Sequence, residues 1–177
     1  MKMRVMMTAA AAALMALVPT TAHSVTVSDK GWSTSSVTVV PGSTKNWDVA
    51  KAVRAWNSAD PAVTLTVAPK KVKDCGQVAG ACISVSAAPL PDQVAGKASA
   101  GRSDGWITSC HVTLADSFNG KTVKFYNDSV IVHELGHCVG LGHAPLGADS
   151  IMVEHVTGLP TLRPYDLADL ETLYGAP

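Results

Sequence analysis

The chain is predicted to form one α+β domain, on three observations: four short runs of strand-like composition, three longer runs with apolar residues at helical spacing, and a length of 177 residues that supports one hydrophobic core. The domain is expected over 23–177, because residues 1–22 read as a signal peptide. Lys2 and Arg4 precede an apolar stretch over 5–18, and Thr20 and Ala22 supply the small residues a signal peptidase reads. That stretch is short for a membrane span, so a secreted, extracellular protein is the expectation, with a monomer as the default because the sequence does not give the oligomeric state. Fourteen basic residues match fourteen acidic ones, and Lys70, Lys71 and Lys73 form a basic cluster without interleaved aromatics, which speaks against nucleic acid as a partner.

In chain order, residues 23–36 hold few large apolar side chains apart from Trp32 and read as a loose or removable lead-in. Residues 37–40 read as a strand closed by Pro41 and Gly42. Over 47–56, apolar residues at 49, 50, 53 and 56 give a first helix, with Asn46 as its N-cap. Residues 63–67 alternate with Thr as a half-buried strand, and 82–87 form another around Ile83 and Val85. Residues 89–105, with prolines, glycines and few large apolar side chains, read as a long surface loop, and 106–114 as a further strand. A helix follows from Asn127 or Asp128 to Val139, burying Val130, Ile131, Leu135 and Val139. A last helix over 164–173 starts on Pro164 and carries a stripe of Leu167, Leu170 and Leu173.

All four cysteines lie beyond the leader, which fits an oxidising compartment and two disulfides. Cys75 and Cys82 enclose a short loop and are the easier pair, leaving Cys110 for Cys138. Cys138 follows His137 and so points about 100° away from it on a helix, which favours a bridge over a free thiol or a metal ligand.

The segment HELGHCVGLGH, residues 133–143, carries the chemistry. On a helix, His133 and His137 stand one turn apart and offer two imidazoles to one ion. Glu134 points beside them, where a carboxylate acts as a base rather than a ligand. Gly140 can take positive φ and end the helix, bringing His143 back as a third ligand. Three protein ligands with a fourth position open define a catalytic zinc, and this joint spacing outweighs the alternative of a buried helix with merely hydrogen-bonded imidazoles.

With Met152 nine residues beyond His143 and the ending RPYDLADLETLYG, the chain resembles the metzincin metallopeptidases, closest to the matrixin-like branch. The resemblance implies a twisted, mostly parallel sheet with one antiparallel edge strand, a backing helix and an active-site helix. Below these it implies a small C-terminal subdomain with a Met turn at Met152 and a final helix. An extended peptide or protein substrate would pair with the edge strand, expected at 106–114. The chain departs from the pattern at Glu154, where some metzincin branches carry a tyrosine, and at Ala144, where matrixins carry serine. Residues 89–105 lack the His and Asp pattern that holds further ions in animal matrixins, so one catalytic Zn2+ is expected and calcium stays open. Asp92, Asp104 and Asp116 read as turn residues.

The expected activity is that of a zinc metalloendopeptidase with His133, His137 and His143 as ligands and Glu134 as general base. A zinc hydrolase of a non-peptide amide, such as a cell-wall polymer, and a non-catalytic binding module on the same scaffold are the alternatives. His111 and His155 are weighed as cleft residues against partly exposed structural histidines. Residues 153–163 would form the outer wall of the cleft.

Overall fold

Five strands form one sheet in the order β2-β1-β3-β5-β4: β1 is Ser36–Pro41, β2 Thr64–Val67, β3 Cys82–Ala88, β4 Gly96–Ser103 and β5 Trp106–Ala115. They are seen in a computed structural model that describes residues 30–44, 47–117, 124–155 and 158–175, the side chains of 124–127 excepted. Neighbours pair in parallel except β4 and β5, which form an antiparallel hairpin. Helices α1 (Val49–Asn57) and α2 (Lys124–Cys138) pack on each other and on the sheet, and α3 (Pro164–Tyr174) closes the chain. Among the described residues no helix is long and apolar enough to cross a membrane. The leader and Asn46 lie outside the described residues.

Helix α1 is capped by Asp48, whose carboxylate accepts the Lys51 N–H at 2.9 Å. Val49, Ala52, Val53 and Trp56 form its buried face at helical spacing. Trp56 Nε1–H donates to the Val63 carbonyl at 2.9 Å, and the Asn57 amide both donates to and accepts from the Leu65 backbone. These bonds tie the end of α1 to β2 and the residue before it.

Two sequence expectations fail here for one physical reason. The span expected as a surface loop contains β4, and β5, expected at the edge, is an inner strand with β3 on one side and β4 on the other. Strand β4 reads GKASAGRS, with no large apolar side chain to register a period of two. Its stability comes from the ladder to β5, which only the folded chain displays. A local signal was present nonetheless: Asp104 and Gly105 both take positive φ, 51° and 82°, in the two-residue hairpin turn that Asp-Gly favours.

The lead-in is not loose from residue 30 onward. Trp32 is buried and its Nε1–H donates to the Cys138 carbonyl at 2.8 Å. The Tyr174 hydroxyl accepts from Trp32 N–H and donates to the Val139 carbonyl at 2.7 Å. Carbonyls left over at the end of α2 are thus satisfied from both ends of the domain. Helix α2 also begins earlier than its expected cap, at Lys124. Bridges join Cys75 to Cys82 and Cys110 to Cys138, the second tying α2 to β5.

Candidate metal centre and its cleft

Helix α2 presents His133 and His137 on one face, and Gly140, at φ 108°, stops the helix so that the chain returns with His143. The turn is locked by Leu141 N–H to the Gly136 carbonyl at 3.0 Å. The Nε2 atom of His137 lies 3.1 Å from that of His133 and 3.2 Å from that of His143. A tetrahedral ion with bonds of about 2.0–2.1 Å holds its ligand nitrogens about 3.3 Å apart, which the two distances from His137 match, and all three ligand atoms lie within 4.8 Å of one another.

The tautomers are set by the backbone. His133 Nδ1–H donates to the Ile151 carbonyl and His137 Nδ1–H to the Leu141 carbonyl, each at 2.8 Å. Both Nε2 lone pairs are therefore directed at the shared point. Burial holds the His133 imidazole below its ordinary value and takes His137 down to about 4, with the neighbouring His133 adding to the effect. Neutral rings are what a cation requires.

Glu134 is buried beside this cluster, under the edge strand. Desolvation pushes its carboxyl up to about 7, opposed by a hydrogen bond from the Ala98 backbone of β4. Gly96 on the same strand leaves the space the carboxylate occupies, since a Cβ there would lie 2.8 Å from Glu134 Cγ and Oε1. A cavity of about 540 Å³ opens between β4 and the three imidazoles.

Beneath the cluster, fully buried Met152 packs its sulfur against Gly136, where a Cβ would collide with it. The turn that carries Met152 is held from α3 by Asp166, a carboxylate 1% exposed. Asp166 accepts from the Ser150 hydroxyl, from Ile151 N–H at 3.0 Å and from Arg163 N–H at 2.8 Å. Sequence reading missed Asp166 by following the leucines of α3, of which Leu170 alone is fully buried. Its position in the first turn, where acidic residues cap a helix, was the available signal.

His111 does not join the cluster: on the exposed face of β5 its ring bonds Ser84 and Ser86 at 2.8 and 3.1 Å. His155 and Glu154 do line the cavity. Asp104 occupies the hairpin turn, and Asp92 lies in a turn before β4.

The family model of the dual-action HEIGH metallo-peptidases, peptidase M57, matches residues 9–153, a span that includes β1 to β5, α2 and all three histidines. The chain belongs to this family. Its HELGH carries Leu135 where the family's name has isoleucine, and Leu135 is fully buried, facing the core. The family is one of metallo-peptidases, which implies zinc, and His133, His137 and His143 cluster where they could hold the ion. The match lends no support to the matrixin-like branch that the sequence resemblance named. No curated protein sequence matches the chain. Among solved structures, archaemetzincin from Archaeoglobus fulgidus, in complex with malonate, is similar at 13% identity and a TM-score of 0.45, covering 76% of this chain and 99% of that one.

Proposed function

We propose that this metallo-peptidase is an exported endopeptidase on a metzincin-like scaffold, with Glu134 as its general base. The observation that carries the reading is the approach of three Nε2 atoms, 3.1 and 3.2 Å apart, beside one buried carboxylate at the foot of an open cleft. Zinc held by His133, His137 and His143 would act as a Lewis acid, making water more acidic and polarising a carbonyl.

Glu134 then has two tasks. It takes a proton from the water that attacks the scissile carbonyl carbon, and returns it to the amide nitrogen as the C–N bond breaks. Burial in the metal-free site raises this carboxyl above an ordinary one, which makes it a better proton acceptor than an exposed carboxylate. The free edge of β4 offers backbone donors and acceptors to an extended chain, which supports protein substrates cut within their length. Two disulfides support an oxidising destination, in keeping with a leader over 1–22.

The test is a peptide-library digest with zinc analysis of the same preparation, run beside a cell-wall polymer and repeated after chelation. Chelator-sensitive cleavage at internal peptide bonds is expected. Turnover of the polymer alone would replace this reading with that of a non-peptide amidase.

A further inference from the structure

Strand β4 begins its ladder at Gly96, opposite Leu114. The chain enters it through a tight turn over 91–94, closed by Val94 N–H to the Pro91 carbonyl at 3.1 Å. Gln93, third in this turn, has φ 70°. Glycine takes that conformation freely and asparagine tolerates it, whereas glutamine has no such preference. Strain of this kind persists only where the surrounding structure holds it, and it clusters at functional clefts. Gln93 is exposed and lines the cavity that contains His133, Glu134 and His143.

The backbone around this point is already engaged. Val94 N–H closes the turn, and the Ala95 carbonyl accepts Ala115 N–H at 2.9 Å. A peptide that pairs antiparallel with the free edge of β4, the more stable arrangement, runs from Ser103 toward Gly96 and carries its C-terminal half on toward Gln93. Beyond Gly96 it would meet few free ladder groups. A carboxamide offers a donor and an acceptor, the same pair as a peptide unit.

We infer that Gln93 is a substrate-binding residue whose carboxamide hydrogen-bonds the main chain of an extended peptide on the leaving-group side, about two or three residues beyond the scissile bond. The inference rests on the peptidase reading of this cleft. It recognises backbone rather than side chains, so it favours longer substrates without fixing their sequence.

The experiment compares two peptides with the same core, one ending a residue after the scissile bond and one extended by three residues, on the parent enzyme and on Q93G, Q93N and Q93A. The readout is the ratio of their kcat/KM values. A hydrogen bond of ordinary strength gives the parent a ratio of about tenfold. Q93G and Q93A should bring it to about twofold or less, and Q93N, with a shorter amide, to an intermediate value. Thermal midpoints check folding, and Q93G should stay close to the parent because relief at φ offsets the added freedom of the unfolded chain. An unchanged ratio in Q93G and Q93A, or loss of folding in both Q93G and Q93N, overturns the inference. Failure of the parent to cut either peptide would instead remove the peptidase reading and this inference together.

Discussion

The Ile151 carbonyl accepts the Nδ1–H of His133 at 2.8 Å, while the N–H of the same residue donates to Asp166 at 3.0 Å. One residue of the turn therefore joins a carboxylate on α3 to an imidazole on α2. Removing the carboxylate in Asp166→Ala leaves the buried Ser150 hydroxyl and the Ile151 and Arg163 N–H groups without their acceptor. We expect a loss of about 3–5 kcal/mol in urea unfolding and zinc affinity weaker by about 10–100-fold. Asp166→Asn, which keeps one acceptor oxygen, should fall between. Parental zinc affinity in Asp166→Ala would show that the turn does not orient His133.

Ligand and base should separate cleanly. Glu134→Gln is expected to retain one zinc per chain and lose at least about 10³-fold in kcat, whereas His137→Ala loses both metal and turnover. Metal analysis and peptide cleavage on one preparation decide it. Near-parental cleavage by Glu134→Gln would refute the base.

Gly96 gives a test that touches neither. Its substitution by alanine places a methyl 2.8 Å from Glu134 Cγ and Oε1, so the carboxylate must move. Gly96→Ala should keep its zinc and fold while kcat drops by about tenfold or more. Gly136→Ala acts from below, against Met152, and should cost stability and metal together.

In the zinc-free protein the Glu134 carboxyl titrates near 7 when folded, against 4.5 as its ordinary value. Below 4.5 both states hold the proton, and between the two values the folded state alone does. The contribution of Glu134 to stability therefore falls by about 3 kcal/mol as pH rises through this window, while His133 and His137, which burial holds below their ordinary value, act in the opposite sense and are common to parent and variant. Glu134→Gln lacks the titration. After chelation it should match the parent at pH 4 and exceed it by about that amount at pH 8, in denaturant midpoints at each pH. Equal stability at pH 8 would mean that burial does not raise this carboxyl.

The Cys110–Cys138 bridge closes 28 residues of chain. Chain entropy assigns it about 3–4 kcal/mol, or a thermal midpoint lower by about 10 °C in the double serine variant. Because Cys138 follows His137 and ends α2, zinc release should also quicken. The Cys75–Cys82 loop spans 7 residues, and opening it should leave zinc release unaltered. Equal effects of the two bridges on zinc release would argue that neither braces the metal helix.

The sequence by itself determined whatever is written in short-range order. Residues 133–143 fix their own geometry, since a helix places His133 and His137 one turn apart and Gly140 ends it wherever the segment folds. Helix α1 follows from the spacing of Val49, Val53 and Trp56, and the short loop between Cys75 and Cys82 favours their pairing, which leaves Cys110 for Cys138. The tertiary structure decided what depends on distant partners. Strand β4, made of small residues, has no periodic signal and exists because β5 offers a ladder and α2 a floor. Gly96 under Glu134, Asp166 under Ile151 and Trp32 at the end of α2 are likewise meetings across long stretches of chain. Local patterns record which face of an element is apolar, and they carry no information about which remote group will arrive there.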